Sequence, residues 1–240
     1  FVALLAVLVG LVTGYQTDGG PLLAFVAITL AIWLLVATLR EWAARIRLFD
    51  VPLADAMRRA QNMPRAAHGM TLAHAGLAIA MFGFIGSSAW KSEEVVFVQP
   101  GAKIEIAGFD IRFDGVERLR GPNYIADRGT LTVTRNGQPV TILFPERRSY
   151  PVAQSSTTES AIRSTLAGDL YVSIATPASD QIANNGAWTL RILYEPLINF
   201  IWIGAALLIA GGGLSLSDRR LRVGAPHRNR STPPQTTPAE

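Results

Sequence analysis

Three histidines, His68, His74 and His227, are the imidazoles that could act as ligands in this 240-residue chain, which has no cysteine. His74 stands apart because of where it lies. It sits in RAAHGMTLAHAGLAIAMFGFIG, from Arg65 to Gly86, and no charged residue occurs between Gly69 and Trp90. As a helix rising about 1.5 Å per residue, that run crosses a hydrocarbon core of about 30 Å. With Arg65 as the interfacial anchor, His74 lies about 13 Å deeper, inside the hydrocarbon. Ionisable groups at that depth are costly and mark functional positions. Two roles are open: a hydrogen bond to Ser, Thr or a backbone carbonyl of a neighbouring helix, or ligation of a metal or haem iron.

Helical spacing puts Ala67, Thr71, His74 and Ala78 on one face, so small side chains flank the imidazole and leave room for a flat macrocycle. A second small stripe, Gly69, Ala73, Gly76, Ala80 and Gly83, runs down an adjoining face and reads as close helix packing. The expectation is that His74 sits on a crowded, protein-facing side. His68 is about 120° away around the same helix and nearer the interface, so it cannot bind the opposite side of a ring held by His74. His227 falls in a polar tail. A second axial ligand, if one exists, is outside this sequence.

The elements that must carry these residues follow from hydropathy and charge. Charge-free blocks cover 1–17, 19–39, 69–90 and 196–217. The last three are each about long enough to span. The first reads as the end of a truncated transmembrane helix and the chain as a C-terminal fragment, since the block opens on Phe without a basic flank. The 40–65 loop carries six Arg, and the 218–240 tail, expected to be disordered, carries Arg219, Arg220, Arg222, Arg228 and Arg230. Both should face the cytoplasm, with 91–195 on the opposite side, where eleven basic and twelve acidic residues nearly balance. The net charge of +4 is thus a topology signal, and nucleic acid is excluded as a partner. Within the loop, Trp42, Ile46, Phe49, Leu53 and Met57 recur about once per turn, as in a helix on the membrane lipid surface or a solvated connecting helix.

Residues 91–195 read as β structure. EVVFV, KIEIA, FDIRF, TLTVT, VTILF, DLYVSIA and WTLRILY are short apolar or alternating runs divided by Gly, Asn and Asp turn signals. In the last, Trp188, Leu190, Ile192 and Tyr194 share one face. TTESAIRSTL from Thr157 reads instead as a capped helical turn. The domain has no His, no phosphate loop and no nucleophile motif, so it reads as a docking or lid module. The fold class is a mixed membrane protein, transmembrane α-helices with an inserted β-rich domain of about seven strands, a small barrel or sandwich.

The ordered series LAHAGLAIAMFG, GPNY, PERRSYP, TTESAIR, DLYVSI and WTLRILYEPLINFIWIGAALLIAGGGLSLSDRR resembles the C-terminal part of the CcmF family, with NrfE-type relatives close to it. CcmF is the haem lyase of bacterial system I cytochrome c maturation. The resemblance implies an inner-membrane protein with a periplasmic β domain. It implies that haem is taken from the chaperone CcmE and attached to apocytochrome c, with CcmH and CcmI as partners. It also implies a transmembrane haem b, with His74, the His of the family's LAH motif, as one axial ligand. The tryptophan-rich segment and histidines that hold the transferred haem lie outside the present sequence, so no catalytic residue is expected in it. Gly121, Pro122, Asn123 and Tyr124 of GPNY, with Pro145, Arg147, Arg148 and Tyr150 of PERRSYP, are read either as loops shaped by Pro and Gly or as contacts for the haem chaperone or apocytochrome. The rival reading is a non-enzymatic membrane scaffold in which His74 is structural; a permease ranks last, because His74 is the lone ionisable group well inside a span.

Overall fold

The computed structural model describes residues 22–175 and 187–218. The expected truncated helix over 1–17 and the tail from residue 219, His227 included, lie outside the described residues. Among the described residues three helices are long and apolar enough to cross a membrane: α1 (Leu22–Ile46), α3 (Arg65–Ala89) and α4 (Asn199–Leu216). A short amphipathic helix, α2 (Leu53–Asn62), joins α1 to α3 and buries Ala56 and Ala60.

The helix expected from Trp42 through Met57 is instead two. Trp42 and Ile46 belong to the last turns of α1, which stops where Arg47 takes a left-handed backbone (φ 54°), and Pro52 caps the start of α2. Ile46 is buried, whereas Phe49, Leu53 and Met57 are exposed.

The expected glycine seam is what joins α3 to α4. A Cβ on Gly69 would lie 2.5 Å from the Gly211 carbonyl oxygen, one on Gly76 2.7 Å from the Gly204 carbonyl oxygen, and one on Gly83 2.7 Å from the Ile201 nitrogen. The two helices run antiparallel with backbones in contact, as small residues allow where lipid supplies no hydrophobic drive for association. At the start of α3 the Asp218 carboxylate accepts from the Ala66 N–H at 3.1 Å, so a residue beyond α4 satisfies one of the free donors of α3.

Between α3 and α4 lies a β-sandwich of ten strands among the described residues, three more than the sequence signals indicated. One sheet has the order β1 (Ser92–Val98), β10 (Trp188–Pro196), β9 (Gly168–Ala175), β8 (Ala161–Thr165). The other runs β2 (Lys103–Ile106), β3 (Phe109–Arg120), β4 (Ile125–Arg135), β6 (Glu146–Tyr150), β7 (Ser155–Glu159), with β5 (Gln138–Leu143) also on β4. Alternating inward residues meet in one core, with Ile111, Phe113, Leu131, Val133, Val172, Leu190 and Ile192 fully buried. Trp188 and Tyr194 pack against it, on the face the alternation assigned them.

TTESAIR is not a helical turn. It forms β7 and β8, and Ser160 between them passes the chain from one sheet to the other. Cross-strand pairing with β6 and β9 outweighs the local capping signal, and the Thr157 hydroxyl donates to the Glu159 carboxylate two residues on. PERRSYP likewise is not a loop, since Glu146–Tyr150 is strand β6.

Candidate functional site

His74 and His68 share helix α3, yet their hydrogen bonds separate their chemistry. His68 spends both ring nitrogens: the Trp42 indole N–H donates to Nδ1 at 3.3 Å, and Nε2 lies 2.9 Å from the Ala60 carbonyl oxygen, to which it must donate. It ties α1 and α2 to α3 and has no lone pair to offer. In His74 the pattern is reversed. Nδ1 lies 2.8 Å from the Met70 carbonyl oxygen, one turn back on its own helix. A carbonyl only accepts, so Nδ1 carries the proton and the lone pair falls on Nε2, for which the described residues supply no partner.

His74 is exposed at the surface of this chain, contrary to the crowded, protein-facing position expected from the small stripes. The cause is rotational. α4 takes the glycine face of α3, and α1 takes the neighbouring face, burying Ala78 to 2%. His74 falls just beyond that edge. Its open neighbours are Met70, Leu77 and Met81, each more than a third exposed, so the imidazole looks out through an apolar strip. Thr71 is turned inward on its own helix, donating to the Ala67 carbonyl at 3.1 Å.

This arrangement suits an imidazole that ligates through Nε2. Metal-bound histidines typically donate their second ring N–H to a carbonyl or carboxylate, which fixes the tautomer and aims the free nitrogen. Among the described residues there is no group of three or more His, Asp or Glu able to hold a metal ion.

A second cluster forms at the far tip of the sandwich. β3 starts beside the helices and runs for twelve residues, roughly 35–40 Å, before the hairpin at Gly121. There Tyr124 stacks edge-on against Tyr150 (centroids 5.7 Å apart), and the Arg148 guanidinium lies 4.6 Å over the Tyr124 ring. Gly121 makes this possible, since a Cβ there would come within 2.4 Å of that ring. Two motifs more than twenty residues apart thus converge because Ala126 pairs with Arg148 across β4 and β6.

The structure divides the expected contact residues. Tyr124, Arg148 and Tyr150 meet; Pro122 and Asn123 are exposed at the hairpin tip. Pro145 is buried and its carbonyl accepts from the Gly129 N–H, and Arg147 points to the opposite face of β6. Sequence reasoning missed Glu146, a buried carboxylate bonded to Arg148 (2.8 Å) and Arg128 (2.6 Å). Burial pushes its pKa up, but the two guanidiniums outweigh that and hold it below the usual carboxylate range. Glu146 in turn raises the Arg148 pKa and fixes its guanidinium over the ring. Arg148 lies two residues along the same strand and so on the same face, but Arg128 reaches Glu146 only across the β4–β6 register, which sequence alone did not supply.

The strands from residue 89 to 196 match the family model described as the CcmF C-terminal beta-sandwich. The cytochrome c-type biogenesis protein CycK of Rhizobium meliloti is 41% identical over 95% of this chain. This chain belongs to the CcmF family. CcmF of Pseudomonas aeruginosa, also a cytochrome c-type biogenesis protein, is 34% identical over 81% of the chain. Among solved structures, one of a cytochrome c heme lyase CcmF superposes with a TM-score of 0.66 over 90% of the chain, at 20% identity, a likeness of fold. The chain spans about a third of the length of these CcmF-family proteins, 33% of CycK and 34% of the solved chain.

Proposed function

We propose that this chain is the part of a cytochrome c haem lyase that holds one side of a transmembrane haem b, through His74, and that presents a docking domain to the maturation partners. The observation that carries the reading is the His74 tautomer: Nδ1 tied to the Met70 carbonyl, Nε2 free at an exposed apolar surface. A structural histidine of the rival scaffold reading would bond a neighbouring helix, as His68 does; among the described residues His74 bonds only its own. Met70, Leu77 and Met81 would pack against the ring and keep water from it, while the Met70 carbonyl holds the imidazole upright. A haem held there would supply one-electron transfer. A second axial ligand would come from sequence beyond these 240 residues.

The orientation that accompanies this reading puts α2 and its Arg58 and Arg59 on the cytoplasmic side of a bacterial inner membrane and the sandwich in the periplasm. A reporter active only outside the membrane should work when fused after Val140 and stay silent after Arg222; the reverse pattern would overturn the topology.

The Tyr124, Tyr150 and Arg148 cluster, remote from the helices, is then suited to receive CcmE, CcmH, CcmI or apocytochrome c. Replacing Tyr124 by Ala in the intact protein should lower cytochrome c maturation by roughly two- to fivefold, the weight of one cation–π contact, and Arg148→Ala by at least as much, because it also strips the buried Glu146 of one of its two guanidinium partners. The absorption spectrum of the transmembrane haem should be unchanged. Arg147→Ala, on the other face of β6, should have the smaller effect. Should the tip variants lose the haem spectrum itself, the separation between haem holding and docking fails.

A further inference from the structure

A cavity of about 730 Å³ opens where α1, α3 and the start of α4 meet the base of the sandwich. Its walls are almost wholly hydrocarbon, with Ile28 and Leu35 from α1, Ala78 and Phe82 from α3 and Phe200 from α4 among them. Along α3 the lining runs from Ala78 to Trp90, about 18 Å of helix. That is close to one leaflet of a hydrocarbon core about 30 Å thick. The polar lining groups, Trp90, Ser92 and Tyr194, gather at the sandwich end, where the membrane boundary falls.

Trp90 supplies the second observation. Its indole ring packs edge-on against Phe25, with centroids 5.9 Å apart, and its Nε1 is buried without a hydrogen-bond partner among the described residues. A buried donor left unpaired is costly, so such groups are ordinarily satisfied. Tyr194 does not compete for the same acceptor, because its hydroxyl already donates to the Ala167 carbonyl.

We propose that this cavity is a lipid site holding one acyl chain of a glycerophospholipid from the leaflet facing the sandwich, with an ester carbonyl accepting the Trp90 indole N–H once a small turn of the ring opens that buried donor to the slot. The shape accounts for the choice. A slot one leaflet deep, apolar along its length and furnished with a donor only at the boundary, matches an acyl ester end to end. The lining contains no His, Met or Lys to ligate iron, which separates it from the His74 site. A lipid there wedges the three helices against the base of the sandwich and sets how the domain stands on the membrane.

The test uses the intact protein in its native membrane, with photoreactive benzoylphenylalanine at Phe82, and with the same residue at Ile209, exposed on α4, as the bulk-lipid control. After long detergent washing and illumination, intact mass should show a phospholipid adduct at position 82 and none at 209. Trp90→Phe keeps the ring against Phe25 but removes the donor. It should cut lipid retention roughly two- to tenfold, one hydrogen bond's worth. Ala31→Trp, which fills the slot, should abolish it. An adduct at 82 that maps to another stretch of the same polypeptide, a detergent adduct, or no adduct would overturn the lipid assignment. Unchanged retention in Trp90→Phe would overturn the role of the indole.

Discussion

Replacing His74 by Ala in the intact protein is expected to remove most of the proposed transmembrane haem. The loss should exceed the roughly 10–100-fold fall in affinity that follows loss of a mere outer-shell partner of a metal ligand. Haem that remains should shift to a five-coordinate, high-spin spectrum, because no other nitrogen among the described residues is placed to replace Nε2. The alanine leaves a gap beside Met70, Leu77 and Met81 with an open side. Added imidazole should therefore enter and restore part of the six-coordinate spectrum and part of the maturation activity. His68→Ala makes the contrasting case. It breaks the bonds to Trp42 and to the Ala60 carbonyl, and so costs stability of roughly 1–3 kcal/mol, while the haem spectrum per folded protein stays as it was. A full complement of haem with a native spectrum in His74→Ala would refute the ligand assignment.

The glycine seam carries the second large effect. A Cβ at Gly204 would lie 2.4 Å from the Ala80 nitrogen and 2.5 Å from the Gly76 carbonyl oxygen, both backbone atoms that cannot swing aside. Gly204→Ala must push α3 and α4 apart, at a cost of about 1–3 kcal/mol, and Gly204→Leu should prevent the protein from accumulating. At Gly212 and Gly213, on the same helix, a Cβ would meet nothing within 4 Å, so alanine there should be neutral or stabilise the helix by up to about 1 kcal/mol. The measurement is resistance to denaturation of the purified intact protein across the series. Equal stability of Gly204→Ala and Gly212→Ala would show that the seam is not what holds the pair. The proposed haem site should follow the seam, because α4 fixes the rotation of α3 and with it the direction in which His74 faces.

Legibility in the sequence tracked how local each property is. The depth of His74, the apolar blocks and the seven strongest strands are written in composition and period, which act over a few neighbouring residues. The stripe Gly69, Ala73, Gly76, Ala80 and Gly83 was readable as a packing face for the same reason, since small side chains at that spacing suit little else. TTESAIR misled because Thr followed by Glu is a helix-capping signal as well as a strand pair, and only β6 and β9 beside it decide which.

What the sequence determined by itself was that an imidazole lies deep in an apolar helix, that this helix must pack closely on another through glycine, and that a β domain hangs between two spans. Helical period fixes angles between residues of one helix, but it leaves the whole helix free to rotate. The tertiary structure decided the rest: α1 and α4 cover two faces of α3 and leave His74 on the third, and strand register joins Tyr124 to Arg148 and seats Glu146 between two arginines. Those outcomes depend on which surfaces bury against each other, and that is a property of pairs of elements.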